Sequence, residues 1–217
     1  FTMTADTIGI VPLFSAFFTY DNTGYAVGGD WSGNSSAICK TTNGGLNWTM
    51  QNLTNLYTLK SVYFTDAMTG FAVGDSGTIL NTSNGGTDWI VQKNTGATLQ
   101  QIRFVNSTTG FAVGTNGSIF KSTNSGTNWN SVVSNSTLGL NDILYSTTTE
   151  YWIVGDNGII LKSSNSGSSW SSENLDTYAS IHHISQFSGI KFIAGEYGIK
   201  TKKNNSDPWD YFNKGMN

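Results

Sequence analysis

An all-β fold assembled from five copies of a four-stranded unit is what this 217-residue chain predicts, on three observations. An eight-residue phrase, cleanest as Thr82-Ser83-Asn84-Gly85-Gly86-Thr87-Asp88-Trp89, returns at 41–48, 122–129 and 163–170, and in altered form at 202–209. The tryptophans that close the copies, Trp48, Trp89, Trp129, Trp170 and Trp209, stand about forty residues apart, a period that marks a repeat architecture. Between the phrases, short runs of alternating apolar and polar residues are broken by glycine-bearing turns, and no stretch reads as a helix of useful length.

The phrase explains itself physically. An Asn side chain bonds the backbone two residues on and tolerates the left-handed region, and the glycine two places later supplies a positive φ without a Cβ clash. The Ser or Thr that opens the phrase adds a side-chain-to-backbone bond of the same kind. The closing Trp drops a large ring against the sheet, where truncation to Ala would cost about 3–5 kcal/mol. The expected element is a self-bonded hairpin clip with an apolar anchor.

In chain order, the first unit reads as strands at 13–18, 24–28, 37–41 and 48–51, with about five extra residues between its second and third strands, in 29–35. The second unit reads as 59–64, 70–74, 78–82 and 89–93. The third reads as 99–104, 110–114, 118–122 and 129–133. The fourth is 140–145, 151–155, 159–163 and from 170 on; the fifth is 181–187, 191–195, 199–202 and 209–212. Outside the first unit, second and third strands meet through tight turns: Asp75-Ser76-Gly77, Thr115-Asn116-Gly117, Asp156-Asn157-Gly158 and Glu196-Tyr197-Gly198. Such units, repeated radially, bury both sheet faces against neighbours as a β-propeller, here one domain over 1–217 with blades at about 13–52, 59–94, 99–134, 140–175 and 181–213. Residues 1–12 align with the segment after each closing Trp, so they are expected to close the ring as an outer strand or to mark a chain cut from a longer array.

The phrases resemble the Asp-box (BNR) hairpin of sialidase-type propellers. The longer run Gly70-Phe71-Ala72-Val73-Gly74-Asp75-Ser76-Gly77-Thr78-Ile79-Leu80, leading into Thr82-Ser83-Asn84-Gly85-Gly86, is similar to the photosystem II stability/assembly-factor type of propeller. The resemblance spans nearly the whole chain. It departs in carrying Asn where the box usually has Asp, and in a fifth copy, Lys202-Lys203-Asn204-Asn205-Ser206-Asp207-Pro208-Trp209, without its glycine. It implies that the box is a folding element away from the ligand face, and that the protein is a protein-binding scaffold.

Composition narrows the function. A net charge of −3 and a single arginine, Arg103, argue against a nucleic-acid groove, which needs clustered Lys and Arg. No apolar run approaches the roughly 18 residues that span a bilayer. One cysteine, Cys39, allows neither an intrachain disulfide nor a Cys-cluster zinc site. Few lysines among many Asn, Thr and Ser suggest a secreted or cell-surface protein.

Candidate binding residues fall on the rim shared by the turns between second and third strands. Asp75, Asp156 and Glu196 take matching positions there, with Asp30 beside them. A carboxylate ring could hold a cation or a polyhydroxylated ligand, although Asp before such turns is also ordinary turn chemistry. Near the channel end of the first strands a polar set, Ser15, Ser61, Gln101, Asp142 and His182, is read at one register, with Asp142 and His182 able to pair; His183 is read as core. Trp31, with Asn34 and Asp30, could offer a stacking platform to a sugar or fold back as cover. No metal site and no cofactor is expected.

Sialidase chemistry is excluded, because the substrate carboxylate there is held by three arginines in bidentate geometry. The favoured reading is a non-catalytic binding or structural module for glycan or protein. The alternatives are a carbohydrate-active enzyme using two carboxylates such as Asp75 and Asp156, and a scaffold subunit that meets further copies or a partner chain.

Overall fold

The computed structural model describes residues 11–30, 36–53, 57–173, 175 and 178–211. Five four-stranded antiparallel sheets fill it. They comprise β1 (Leu13–Phe18), β2 (Gly24–Gly29), β3 (Ser36–Thr41) and β4 (Thr49–Leu53); β5 (Leu59–Phe64), β6 (Gly70–Gly74), β7 (Thr78–Thr82) and β8 (Ile90–Asn94); β9 (Leu99–Phe104), β10 (Gly110–Gly114), β11 (Ile119–Ser122) and β12 (Asn130–Val132). The last two are β13 (Leu140–Tyr145), β14 (Tyr151–Gly155), β15 (Ile160–Ser163) and β16 (Ser171–Glu173), then β17 (Ile181–Phe187), β18 (Ile190–Gly195), β19 (Gly198–Lys202) and β20 (Asp210–Tyr211). Every sheet is a simple up-and-down meander. Among the described residues no helix is long and apolar enough to cross a membrane.

The chain divides into two compact units: one runs to Ala112 and includes Ser122–Trp129, the other holds Val113–Lys121 and everything from Asn130. The expected strands appear within a residue or two of their sequence bounds. The closing role expected of residues 1–12 falls almost wholly outside the described residues; Pro12 itself precedes β1, its carbonyl accepting from Gly29 N–H at 3.1 Å.

The clip is bonded as its residue types demand. In the second sheet, Thr82 Oγ1 accepts from the backbone N–H of Gly86 at 2.9 Å and donates to Asn84 Oδ1 at 3.0 Å. Asn84 Oδ1 in turn accepts from Asp88 N–H at 3.0 Å. The same three bonds recur around Thr41, Ser122 and Ser163. The closing Trp rings then stand edge-on to the phenylalanine that ends the first strand of their own sheet: Trp48 to Phe18, Trp89 to Phe64, Trp129 to Phe104.

The clip also fastens neighbouring sheets, which the sequence did not reveal. In the first unit, Tyr25 of β2 stacks on Phe64 with centroids 4.0 Å apart, and its hydroxyl donates to the Gly85 carbonyl at 2.7 Å. Lys40 donates to that carbonyl too, at 2.6 Å. A Cβ on Gly86 would lie 2.5 Å from the Tyr25 ring, and one on Gly126 2.3 Å from Phe71. The glycine therefore serves a left-handed turn and seats a ring of the preceding sheet.

In the second unit the joint between the fourth and fifth sheets adds charge to an apolar core of Trp152, Val154, Ile160, Ile181 and Ile184. Lys202 replaces the clip hydroxyl, and Lys191 and Lys202 lie over the Trp152 ring together with Lys162. Glu150 accepts from Trp152 Nε1 at 2.9 Å and pairs with Lys191 and Lys162 at 3.3 and 3.5 Å, while Lys202 pairs with Glu173 at 2.8 Å. Burial opposes charge on Glu150, but the indole N–H and the Lys191 and Lys162 ammonium groups outweigh it and hold the carboxyl below its ordinary value.

Candidate functional site

The first strand of a sheet starts, and the second ends, at the same rim. There the backbone N–H of the turn residue bonds back to the residue just before the first strand: Asp75 to Thr58 O at 2.9 Å, Asp156 to Gly139 O at 2.9 Å, Glu196 to Ser180 O at 3.1 Å. The approach is close enough to require glycine, since a Cβ on Gly74 would meet Thr58 O at 2.0 Å. The turn itself places Ser76 and Gly77 at φ +54° and +72°, and Asn157 and Gly158 at +52° and +70°. These paired left-handed residues match the twist of the flanking strands.

Each expected rim carboxylate is engaged within its own unit. Asp75 lies 3.8 Å from Lys60 Nζ, and that ammonium sits 4.4 Å over the Phe14 ring. Asn141 Nδ2 donates to Asp156 at 3.0 Å, and Ser180 N–H donates to Glu196 at 3.1 Å. Asp30 meets this rim through its backbone, its carbonyl accepting from Thr58 Oγ1 at 2.8 Å. Trp31 and Asn34 lie outside the described residues. Among the described residues no three His, Cys, Asp or Glu side chains group as a metal site would require.

The polar register on the first strands is corrected by a β-bulge. Pairing shifts between Leu13 and Ser15, Leu59 and Ser61, Leu140 and Asp142, and Ile181 and His183, so one residue is extruded in each strand. Phe14, Lys60, Asn141 and His182 are those extra residues. His183, not His182, thus shares the position of Ser61 and Asp142, and the apolar neighbour is Ile184. His183 is not core, since its side chain is 53% exposed. Counting from the Leu-x-x-apolar spacing of 59–62 and 140–143 to 181–184 would have found it.

The set is also not simply a solvated rim. Ser61 and Asp142 are 2% and 1% exposed and tie sheet to sheet. Ser15 Oγ accepts from Val62 N–H at 3.3 Å, and Ser61 Oγ from Ile102 N–H at 3.3 Å. Asp142 accepts from Ile184 N–H at 3.0 Å, from Ile143 N–H at 2.8 Å, and pairs with His183 Nδ1 at 2.7 Å. The expected Asp142–His182 pair is replaced by Asp142–His183. With Nδ1 against a buried carboxylate, the half-exposed His183 ring is held in one orientation.

The side chains left to solvent at the turns and connections of this rim include aromatics beside asparagines such as Asn116 and Asn157. Tyr57 and Phe14 are exposed in the first unit, and Tyr178 and Tyr197 in the second. Sequence reasoning passed them over because a tyrosine near a turn carries no pattern of its own.

Five four-stranded meanders closed by BNR clips define a β-propeller. Residues 90–180 match the family model of the photosystem II assembly factor YCF48. The chain is a BNR-type propeller resembling that factor. Among solved structures, YCF48 bound to D1 peptide is 17% identical with a TM-score of 0.50, over 87% of this chain and 92% of that one. An ancestral GH74 enzyme is 15% identical with a TM-score of 0.77, over 94% of this chain and 31% of that one. The GH74 enzyme of Niastella koreensis is 15% identical with a TM-score of 0.66, over 88% and 36%. This chain thus spans about a third of the length of those enzymes. No curated protein matches it by sequence.

Proposed function

We propose that the chain is a non-catalytic propeller module, secreted or displayed at a surface, that binds a segment of a partner protein at the rim of its second unit, beside Asp156, Glu196, Tyr178 and Tyr197. The observation that carries this reading is the state of that rim. Its carboxylates Asp156 and Glu196 are engaged by Asn141 and the Ser180 amide, and Tyr178 and Tyr197 are exposed beside His182 and His183. Tyrosines supply rigid contact area with a polar tip, as protein-binding surfaces require. The peptide complex of YCF48 supports a peptide over a sugar as ligand. A glycan is the second reading, favoured by the same exposed tyrosines, which can stack on sugar rings.

Binding to a peptide array and a glycan array, read in parallel with Tyr197→Ala and His183→Ala, tests the proposal. Peptide binding weakened at least about tenfold by either variant, a loss of roughly 1.4 kcal/mol, supports it. Glycan turnover abolished by Asp75→Asn or Asp156→Asn would overturn it.

A further inference from the structure

Four Asn-Gly pairs occur in the chain: Asn43-Gly44, Asn84-Gly85, Asn116-Gly117 and Asn157-Gly158. Such a pair can cyclise when the glycine amide nitrogen attacks the asparagine side-chain carbonyl carbon, with no Cβ on the glycine to obstruct it. In the clips both reacting groups are tied down. Asn43 Oδ1 accepts from Thr41 Oγ1 at 3.0 Å and from Asn47 N–H at 2.9 Å. Asn84 Oδ1 accepts from Thr82 Oγ1 and Asp88 N–H, each at 3.0 Å, and its Nδ2 donates to Asp88 at 2.9 Å. The nitrogens are held as well, Gly44 N–H by the Asn22 carbonyl at 2.9 Å and Gly85 N–H by the Met68 carbonyl at 2.8 Å. Neither clip asparagine has a positive φ.

The turn between β14 and β15 differs on each count. Asn157 is exposed, and its side-chain amide is bonded to nothing among the described residues. Ile159 N–H closes the turn on the Asp156 carbonyl at 3.1 Å, with Asn157 at φ +52°, ψ +34° and Gly158 at φ +70°. That is a type I′ turn. The related type II′ keeps the first φ near about +60° and moves its ψ to about −120°. A flip of the Asn157–Gly158 peptide therefore exchanges the two turns, and it swings the Gly158 nitrogen round to the Asn157 side-chain carbonyl. Glycine follows freely, since its φ changes sign in the flip. At the corresponding Asn116, φ +57°, the flip is resisted, because Gly117 N–H is anchored on the Leu138 carbonyl at 2.8 Å. Gly158 N–H has no such anchor among the described residues.

We propose that Asn157 is a deamidation site, modified ahead of the other three asparagines that precede glycine. The Gly158 nitrogen bonds to Cγ of Asn157, the Cγ–Nδ2 bond breaks, and Nδ2 leaves as ammonia with the former amide proton. Water then opens the cyclic imide at either carbonyl, leaving aspartate or isoaspartate. A second carboxylate is thereby set beside Asp156.

Ageing the native chain at mildly alkaline pH, followed by peptide mapping with mass spectrometry and an isoaspartate-specific methyltransferase assay, tests this. Conversion at Asn157 is expected at least about tenfold faster than at Asn43 or Asn84, and faster than at Asn116. In denaturant the four rates should converge, because every pair then offers the same dipeptide with no group held. Clip asparagines that convert as fast as Asn157, an Asn157 that stays intact in the native chain, or a ranking that survives in denaturant would overturn the proposal.

Discussion

The joint between the first two sheets and the joint between the last two use the same strand positions, each around an apolar core, but fasten its edge differently. At the first, Tyr25 lies flat on Phe64 over a glycine, and its hydroxyl finds a clip carbonyl. At the second, Trp152 occupies the Tyr25 position, and Lys191 and Lys202 arrive from the facing sheet with Glu150 and Glu173 to balance them. The fifth clip could lose its hydroxyl and its glycine because ion pairs and cation–π contacts took over the fastening. Its turn is correspondingly remade: Asp207 accepts from Asn204 N–H at 3.0 Å, and neither Asn205 nor Ser206 adopts a left-handed conformation. A repeat can thus keep its architecture while a local bonding scheme is replaced, provided the replacement satisfies the same buried groups.

The largest effect that would break this comparison is expected from Trp152→Ala. It removes a fully buried ring and the surface on which the lysines rest, and should destabilise the second unit by about 4 kcal/mol in denaturant titrations. Tyr25→Phe keeps the ring and loses only one hydrogen bond, for about 1 kcal/mol. Next comes Gly86→Ala, which forces a Cβ to 2.5 Å from Tyr25 at a φ of +70° and should cost about 2–4 kcal/mol. The matching change in the remade clip, Ser206→Gly, should stay within about 0.5 kcal/mol by the same titration.

Glu150→Gln sharpens the contrast in charge. It leaves Lys191, whose side chain is 6% exposed, short of a counter-charge, for about 2–3 kcal/mol at neutral pH. The sign of the pH effect follows from the lowered Glu150 value. Stability from this group is present above the unfolded carboxylate range, near about 4.3, and is lost as pH falls through the folded value. The Gln variant should therefore lose less stability than the parent on acidification. A smaller effect than that of Glu150→Gln is expected from Thr82→Ala, which strips the clip hydroxyl for about 1–2 kcal/mol, read as a shift in denaturation midpoint.

Much of the fold was legible because its signals are local. Asn, Gly and Trp at fixed offsets specify a turn and an anchor, so the second sheet's first three strands, 59–64, 70–74 and 78–82, begin and end where the sequence places them. The site was less legible, for two physical reasons. A bulge adds a residue without altering composition, which displaced the fifth polar position from His183 to His182. Inter-sheet bonds such as Asp142 to the Ile184 amide join residues forty apart with no pattern at either end. The double duty of the clip glycine was hidden likewise, since a left-handed turn alone accounted for it.

The fifth sheet is held by ion pairs beside its apolar contacts, where the second is held by stacked rings. Hydrogen-exchange protection of the β18 amides compared with the β6 amides, followed from neutral pH to about pH 2, below the ordinary carboxylate range, is the decisive comparison. Protection of β18 is expected to fall on acidification while β6 keeps its own, with Glu150→Gln flattening the β18 response. Parallel loss in both strands, or a β18 response unchanged by Glu150→Gln, would contradict it.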